Sequence, residues 1–99
     1  MLFAIIYRNR SDWSEEKQSR VLKVFANWKP PAGLEFKSHY DFANDGGGVL
    51  IAEASSAAAL LEATLPFTPY FEFETIPIVE ISESVAIGQR ALAWRNSIR

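Results

Sequence analysis

At Gly33 the hydrophobic pattern changes period, and that change constrains the fold more than any other feature of the chain. Before it, Trp13, Val21, Val24, Phe25 and Trp28 occupy about one third of a helical wheel. Pro30 and Pro31 then stop the helix, because neither can donate to a helical hydrogen bond. After it, Leu34, Phe36, Ser38, Tyr40 and Phe42 alternate with Glu35, Lys37, His39 and Asp41, the period of a strand with one dry and one charged face. Ahead of both lies Leu2 to Arg8, apolar on both faces and rich in β-formers, as in a central strand.

The remaining segments extend the same logic. Ser11 and Asp12 offer caps for a helix from about Asp12 to Asn27. Asn44-Asp45-Gly46-Gly47-Gly48 reads as a hairpin turn, with Val49 to Ala54 as the return strand. Ser55 or Ser56 caps a short helix from Ala57 to about Leu65, stopped by Pro66. Tyr70 to Ile81 alternates Phe71 and Phe73 with Glu72 and Glu74, and Pro77 argues for an edge or a bulge. A last helix, about residues 83–98, is capped by Ser82 or Ser84. It carries a stripe of Ile87, Ala91, Trp94 and Ile98 that is expected to dock on protein.

The order strand, helix, strand, strand, helix, strand predicts an α+β, ferredoxin-like βαββαβ fold. It has a four-stranded antiparallel sheet with both helices on one face. Ninety-nine residues make one domain, with a core over residues 1–81 and the final helix added to it. A sheet covered on one side leaves the other side bare, which predicts a homodimer through the open face.

Composition narrows the function classes. The chain has no cysteine, which removes disulfides, thiolate metal sites and cysteine nucleophiles and makes a cytoplasmic home the default. A net charge of −2 disfavours nucleic acid as a partner. Met1 to Tyr7 lacks a basic flank, Arg8 and Arg10 interrupt it early, and no segment has the length of a membrane span, so neither a signal peptide nor a membrane partner is expected. Charge is also ordered along the chain. Residues 1–37 hold seven basic and four acidic side chains, residues 38–89 hold eight acids and no Lys or Arg, and residues 90–99 hold Arg90, Arg95 and Arg99 alone. Such blocks read as complementary surfaces, within the chain or between subunits.

Several runs together resemble a family. Met1-Leu2-Phe3, Pro31-Ala32-Gly33-Leu34, Glu53-Ala54, Ala63-Thr64-Leu65-Pro66-Phe67, Phe71-Glu72-Phe73-Glu74 and Pro77-Ile78-Val79 are similar, in order and spacing, to the small bacterial family known as domain of unknown function 3303. The likeness covers roughly Met1 to Ile87. It implies a ferredoxin-like fold of the dimeric α+β barrel type, and it implies no activity. Its pattern of an aromatic followed by a polar residue near the end of the second strand is met by Tyr40-Asp41.

Candidate chemistry is sparse. His39 is the single histidine. With no second His and no Cys, neither a metal nor a haem is expected, and no cofactor is assigned. The Gly triplet lacks the Lys-Ser/Thr of a phosphate loop. Trp13, Trp28 and Trp94 are accounted for by packing. Simple alternation places Glu35, Lys37, His39 and Asp41 on the open face, with Glu53 on the neighbouring strand. In a ligand-binding dimer His39 would accept a proton, Asp41 or Glu53 would orient it, and Lys37 and Tyr40 would contact the ligand. The plainer account pairs Lys37 with Glu35 or Asp41 as a surface rim. Two readings follow: a homodimer binding a small organic molecule at the polar sheet face, or a non-catalytic interaction or regulatory module docking through its last helix.

Overall fold

The computed structural model describes all 99 residues. The elements are β1 (Leu2–Asn9), α1 (Glu15–Ala26), β2 (Leu34–Asp41), β3 (Gly47–Ala54), α2 (Ala57–Thr64), a 3-10 turn (Leu65–Phe67), β4 (Phe71–Ile78) and α3 (Ile81–Asn96). The strands form one sheet in the order β2-β3-β1-β4, and every neighbouring pair is antiparallel. This is the α+β, ferredoxin-like arrangement, followed by a third helix. β1 is central, as its two apolar faces require, and Pro77 sits on the edge strand β4.

One face of the sheet meets α1, α2 and the 3-10 turn. Ile5, Leu34, Leu50, Ala52 and Ala54 from the strands bury against Ala59 and Ala63 of α2. The alanines on both layers let helix and sheet approach closely. The core is thin, and Ile5 is the one large side chain with almost no exposure.

Capping sets the helix ends. α1 starts at Glu15 because Ser14 accepts from the Lys17 amide, three residues later than the first cap candidates. Asp12 serves instead as an ion-pair partner of the Lys17 ammonium, which holds its carboxyl below the usual range. Ser56 caps α2 through the Ala59 amide. α3 begins at Ile81 without a side-chain cap, so Ser82 and Ser84 lie inside the helix.

The last helix does not dock within its own chain. α3 has no buried residue, and Ile87, Trp94 and Ile98 stay 45%, 67% and 60% exposed. The molecule is correspondingly elongated, 62 × 30 × 19 Å. Its 17.7 Å radius of gyration exceeds the roughly 13 Å of a compact chain this long. No helix is long and apolar enough to cross a membrane.

Candidate functional site

β2 does not alternate as its sequence suggests. Phe36 pairs with Ala52 and Ser38 with Ile51, so Lys37 is the extra residue of a β-bulge. The bulge shifts the phase by one residue. Leu34, Phe36, His39 and Asp41 consequently share the helix-covered side, while Ser38 and Tyr40 join the open side opposite Ile51 and Val49.

This corrects the expected polar open face. His39 and Asp41 leave it for the space between the layers. Tyr40 stays outside at 66% exposure. Lys37 lies in the bulge and pairs with Glu35 at 3.3 Å, the plainer surface account. Glu53 pairs in register with Leu2 and Glu35 on the open side, and its carboxylate holds the N-terminal ammonium at 2.6 Å, so it does not orient His39. Of the five candidate residues, the structure brings together His39 and Asp41 only.

The residue that joins them is Tyr7, which the sequence did not single out. Its hydroxyl lies 2.7 Å from His39 Nε2 and 3.3 Å from Asp41 Oδ1. A phenol has one proton to give. Both contacts are satisfied when the His39 Nε2–H donates to the Tyr7 oxygen and Tyr7 donates to Asp41, which leaves His39 Nδ1 as the free acceptor of the ring. Burial, reinforced by the Asp41 charge and its hydrogen bond, pushes the Tyr7 hydroxyl up to about 12, so it stays protonated.

Two glycines make room for this contact. Tyr7 pairs in register with Gly48, where a Cβ would collide with the Tyr7 hydroxyl and the Tyr40 carbonyl. Gly47, at φ 145°, would drive a Cβ into the Tyr7 backbone carbonyl. Part of the apparent turn glycine run is therefore strand, and β3 starts at Gly47.

Around this polar corner opens a cleft of about 410 Å³ between sheet and helices. Its walls are aromatic: Trp13 stacks on Phe71 at 5.5 Å, Trp28 meets Phe67 edge-on at 5.4 Å, and Phe25, Phe36 and Phe73 complete them. Phe25 and Phe36 also present edge-on geometry to the His39 ring, at 6.2 and 6.0 Å. Trp13 and Trp28 are thus cleft walls as well as packing, whereas Trp94 is on the exposed α3. The charged side chains lining the cleft are Asp41 and Asp45, and no Lys or Arg lines it. No group of three or more His, Asp or Glu side chains is placed to hold a metal ion.

The opposite face of the sheet is apolar along its middle. Ala4, Ile51 and Ile76 lie side by side across three strands, flanked by Ile6 with Val49 and by Leu2 with Ile78. Charges keep to its ends, where Arg8 meets Glu74 at 3.4 Å and Arg10 approaches Glu72 at 3.9 Å. Neighbouring elements within one chain thus neutralise part of the first two charge blocks.

A one-sided antiparallel sheet with an aromatic cleft under its helices defines a ferredoxin-like α+β domain. Within that class the chain belongs to the family described as Domain of unknown function (DUF3303), whose model matches residues 1–92. The match runs past Ile87, where the resemblance read from the residues ended, to a point further along α3. Comparison with curated proteins finds no match.

Proposed function

We propose that the protein is a cytoplasmic homodimer that binds a small organic molecule in the cleft between its sheet and helices. The observation that carries this reading is the cleft itself. A preformed apolar cavity with a few convergent polar groups is the ordinary form of a small-molecule site, and here Tyr7, His39 and Asp41 converge on aromatic walls. The ligand's apolar body lies among the rings and its polar group meets His39 and Asp41. The chemistry available is proton transfer. His39 Nδ1 accepts the proton, and Asp41 orients the imidazole through Tyr7.

A second copy accounts for what one chain leaves bare. The chain exposes 7172 Å², about 1,500 Å² more than the roughly 5,700 Å² of a compact protein of its mass. Twice that surplus falls in the range buried by obligate homodimers, about 2,000–5,000 Å². Burying the apolar face of the sheet and α3 would remove it. The free α3 also suits the rival reading, in which a different protein docks there.

Native mass spectrometry of freshly purified protein tests assembly and ligand together. The expected species is a dimer of the 11.1 kDa chain carrying added mass, and the added molecule should shift the His39 ring signals in NMR spectra. A small-molecule screen that leaves His39 and the Trp13 and Trp28 indoles unperturbed would sink the ligand reading. A monomer at micromolar concentration would sink the dimer.

A further inference from the structure

We infer that the cleft selects aromatic amines in their ammonium form and excludes aromatic carboxylates. The inference rests on the reading of the cleft as a ligand site and adds the charge of its ligand.

The walls are ring faces and edges, and the faces of Trp, Phe and Tyr attract a cation and repel an anion. The only charged side chains among the lining are Asp41 and Asp45, and neither has an ion-pair partner in the chain. No Lys or Arg side chain lines the cleft, and several of the cations are engaged elsewhere. Arg8 is held by Glu74, Arg10 by Glu72 and the Thr68 carbonyl, Lys17 by Asp12, and the N-terminal ammonium by Glu53. A carboxylate entering this cleft would meet two like charges and no counter-ion.

An ammonium finds the reverse. Asp41 already receives the Tyr7 hydroxyl on Oδ1 and keeps acceptor capacity for a further donor, while Asp45 and the Asn9 side-chain amide stand at the same end. Asp41, Asp45 and His39 are exposed, so the charged head stays in contact with water while the ring is buried. That geometry avoids the cost of fully desolvating an ion pair. The cleft's volume admits a bicyclic ring, and the same arrangement leaves His39 Nδ1 free to accept from a ligand N–H.

Tryptamine, tryptophol and indole-3-acetate share one ring and differ in charge, which makes them suitable probes. Affinities are measured by NMR titration of the intact protein at pH 8 and low ionic strength, following His39 and the Trp13 indole. Tryptamine should bind at least about tenfold more tightly than indole-3-acetate, with tryptophol between them, as expected for a unit charge near a half-exposed carboxylate. Added salt should narrow the gap. The double variant Asp41→Asn, Asp45→Asn, whose amide spectrum reports its fold, should bring tryptamine down to the level of tryptophol, while Glu16→Gln on α1 should leave the ranking unchanged. If tryptophol binds but indole-3-acetate binds as tightly as tryptamine, the cleft stands as a ligand site and the charge selection is wrong. If none of the three perturbs His39 or Trp13, the ligand reading falls and this inference with it.

Discussion

Tyr7 shows how one side chain can carry a site that its neighbours in sequence do not announce. It sits in an apolar strand, where an aromatic residue reads as core. What makes it functional is non-local: Gly48 opposite it leaves space for the ring, and β2 brings His39 and Asp41 to its hydroxyl. Its ionisation gives a pH dependence with a definite sign. The hydroxyl titrates near 12 in the folded chain against 10.0 when unfolded, so between those values the folded state keeps a proton that the unfolded state has lost. The contribution to stability is fully present below pH 10 and is lost as pH rises through 12. Two pK units correspond to about 2.7 kcal/mol, and solvent reaching this partly exposed group reduces that to about 1–2 kcal/mol. Tyrosinate absorbance of the wild type minus that of Tyr7→Phe should show a midpoint near 12. Urea unfolding should find Tyr7→Phe less stable than wild type at pH 8 by about 1 kcal/mol, with the gap shrinking from pH 10 and closing only as pH rises through 12. A midpoint near 10 would mean that the hydroxyl is freely hydrated. His39 and Asp41 were legible as a polar pair on one strand face; Tyr7 was not, because strand register depends on contacts that no local window contains.

At the scale of elements, period separated α1 from β2, while an apolar run marked β1 and the glycine turn marked β3; the errors at helix ends came from a choice among Ser and Asp caps at α1 and from an α3 that starts without a side-chain cap. The face of β2 was misread for a different reason. One extra residue reverses every later side chain, and Leu34-Glu35-Phe36-Lys37-Ser38-His39-Tyr40 fits an unbroken alternation that hides the insertion. Unbroken alternation puts Tyr40 inside and His39 outside; the bulge exchanges them. A deletion distinguishes the two arrangements. Removing Lys37 leaves Phe36, Ser38 and His39 in the phase they already have against Ala52, Ile51 and Leu50. The shortened protein should fold, lose only the Lys37–Glu35 surface pair at a cost of about 0–1 kcal/mol, and keep the contact of His39 with Tyr7. In an unbroken strand His39 and Asp41 would lie opposite Phe36 in the full chain, and the same deletion would carry them to the Phe36 side for the first time. His39 ring shifts that depend on Tyr7, read with and without Tyr7→Phe in both the full chain and the deletion, settle it: a dependence absent from the full chain and gained on deletion, or lost on deletion, would show that Lys37 is not the inserted residue.

At the scale of the whole molecule the unfinished surfaces coincide. The sheet has an apolar face without a cover, and α3 with the residues after it carries Val85, Leu92, Trp94 and Ile98 exposed together with Arg90, Arg95 and Arg99. None of these arginines forms an ion pair within the chain, whereas Arg8 of β1 and Arg10 just after it already hold Glu74 and Glu72. The third charge block pairs with no acid of its own chain, and in a homodimer a second copy would offer Glu62 and Glu80, which are unpaired in the first. If α3 crosses to the partner, it and the sheet face contribute separately to one interface. Truncation after Glu80 should then weaken the dimer at least tenfold, seen as a shift of the light-scattering mass from twice the 11.1 kDa chain toward a single chain on dilution. Ile51→Glu should dissociate the dimer with α3 intact, because it places a charge at the middle of the buried sheet face. Arg90→Glu with Arg95→Glu should weaken it in a salt-sensitive way, as expected for charges at an interface rim. A truncated chain whose dimer dissociates at the same concentration as the full chain would remove α3 from the interface and leave its stripe to a different protein, while the Ile51 result would still decide whether the sheet faces meet.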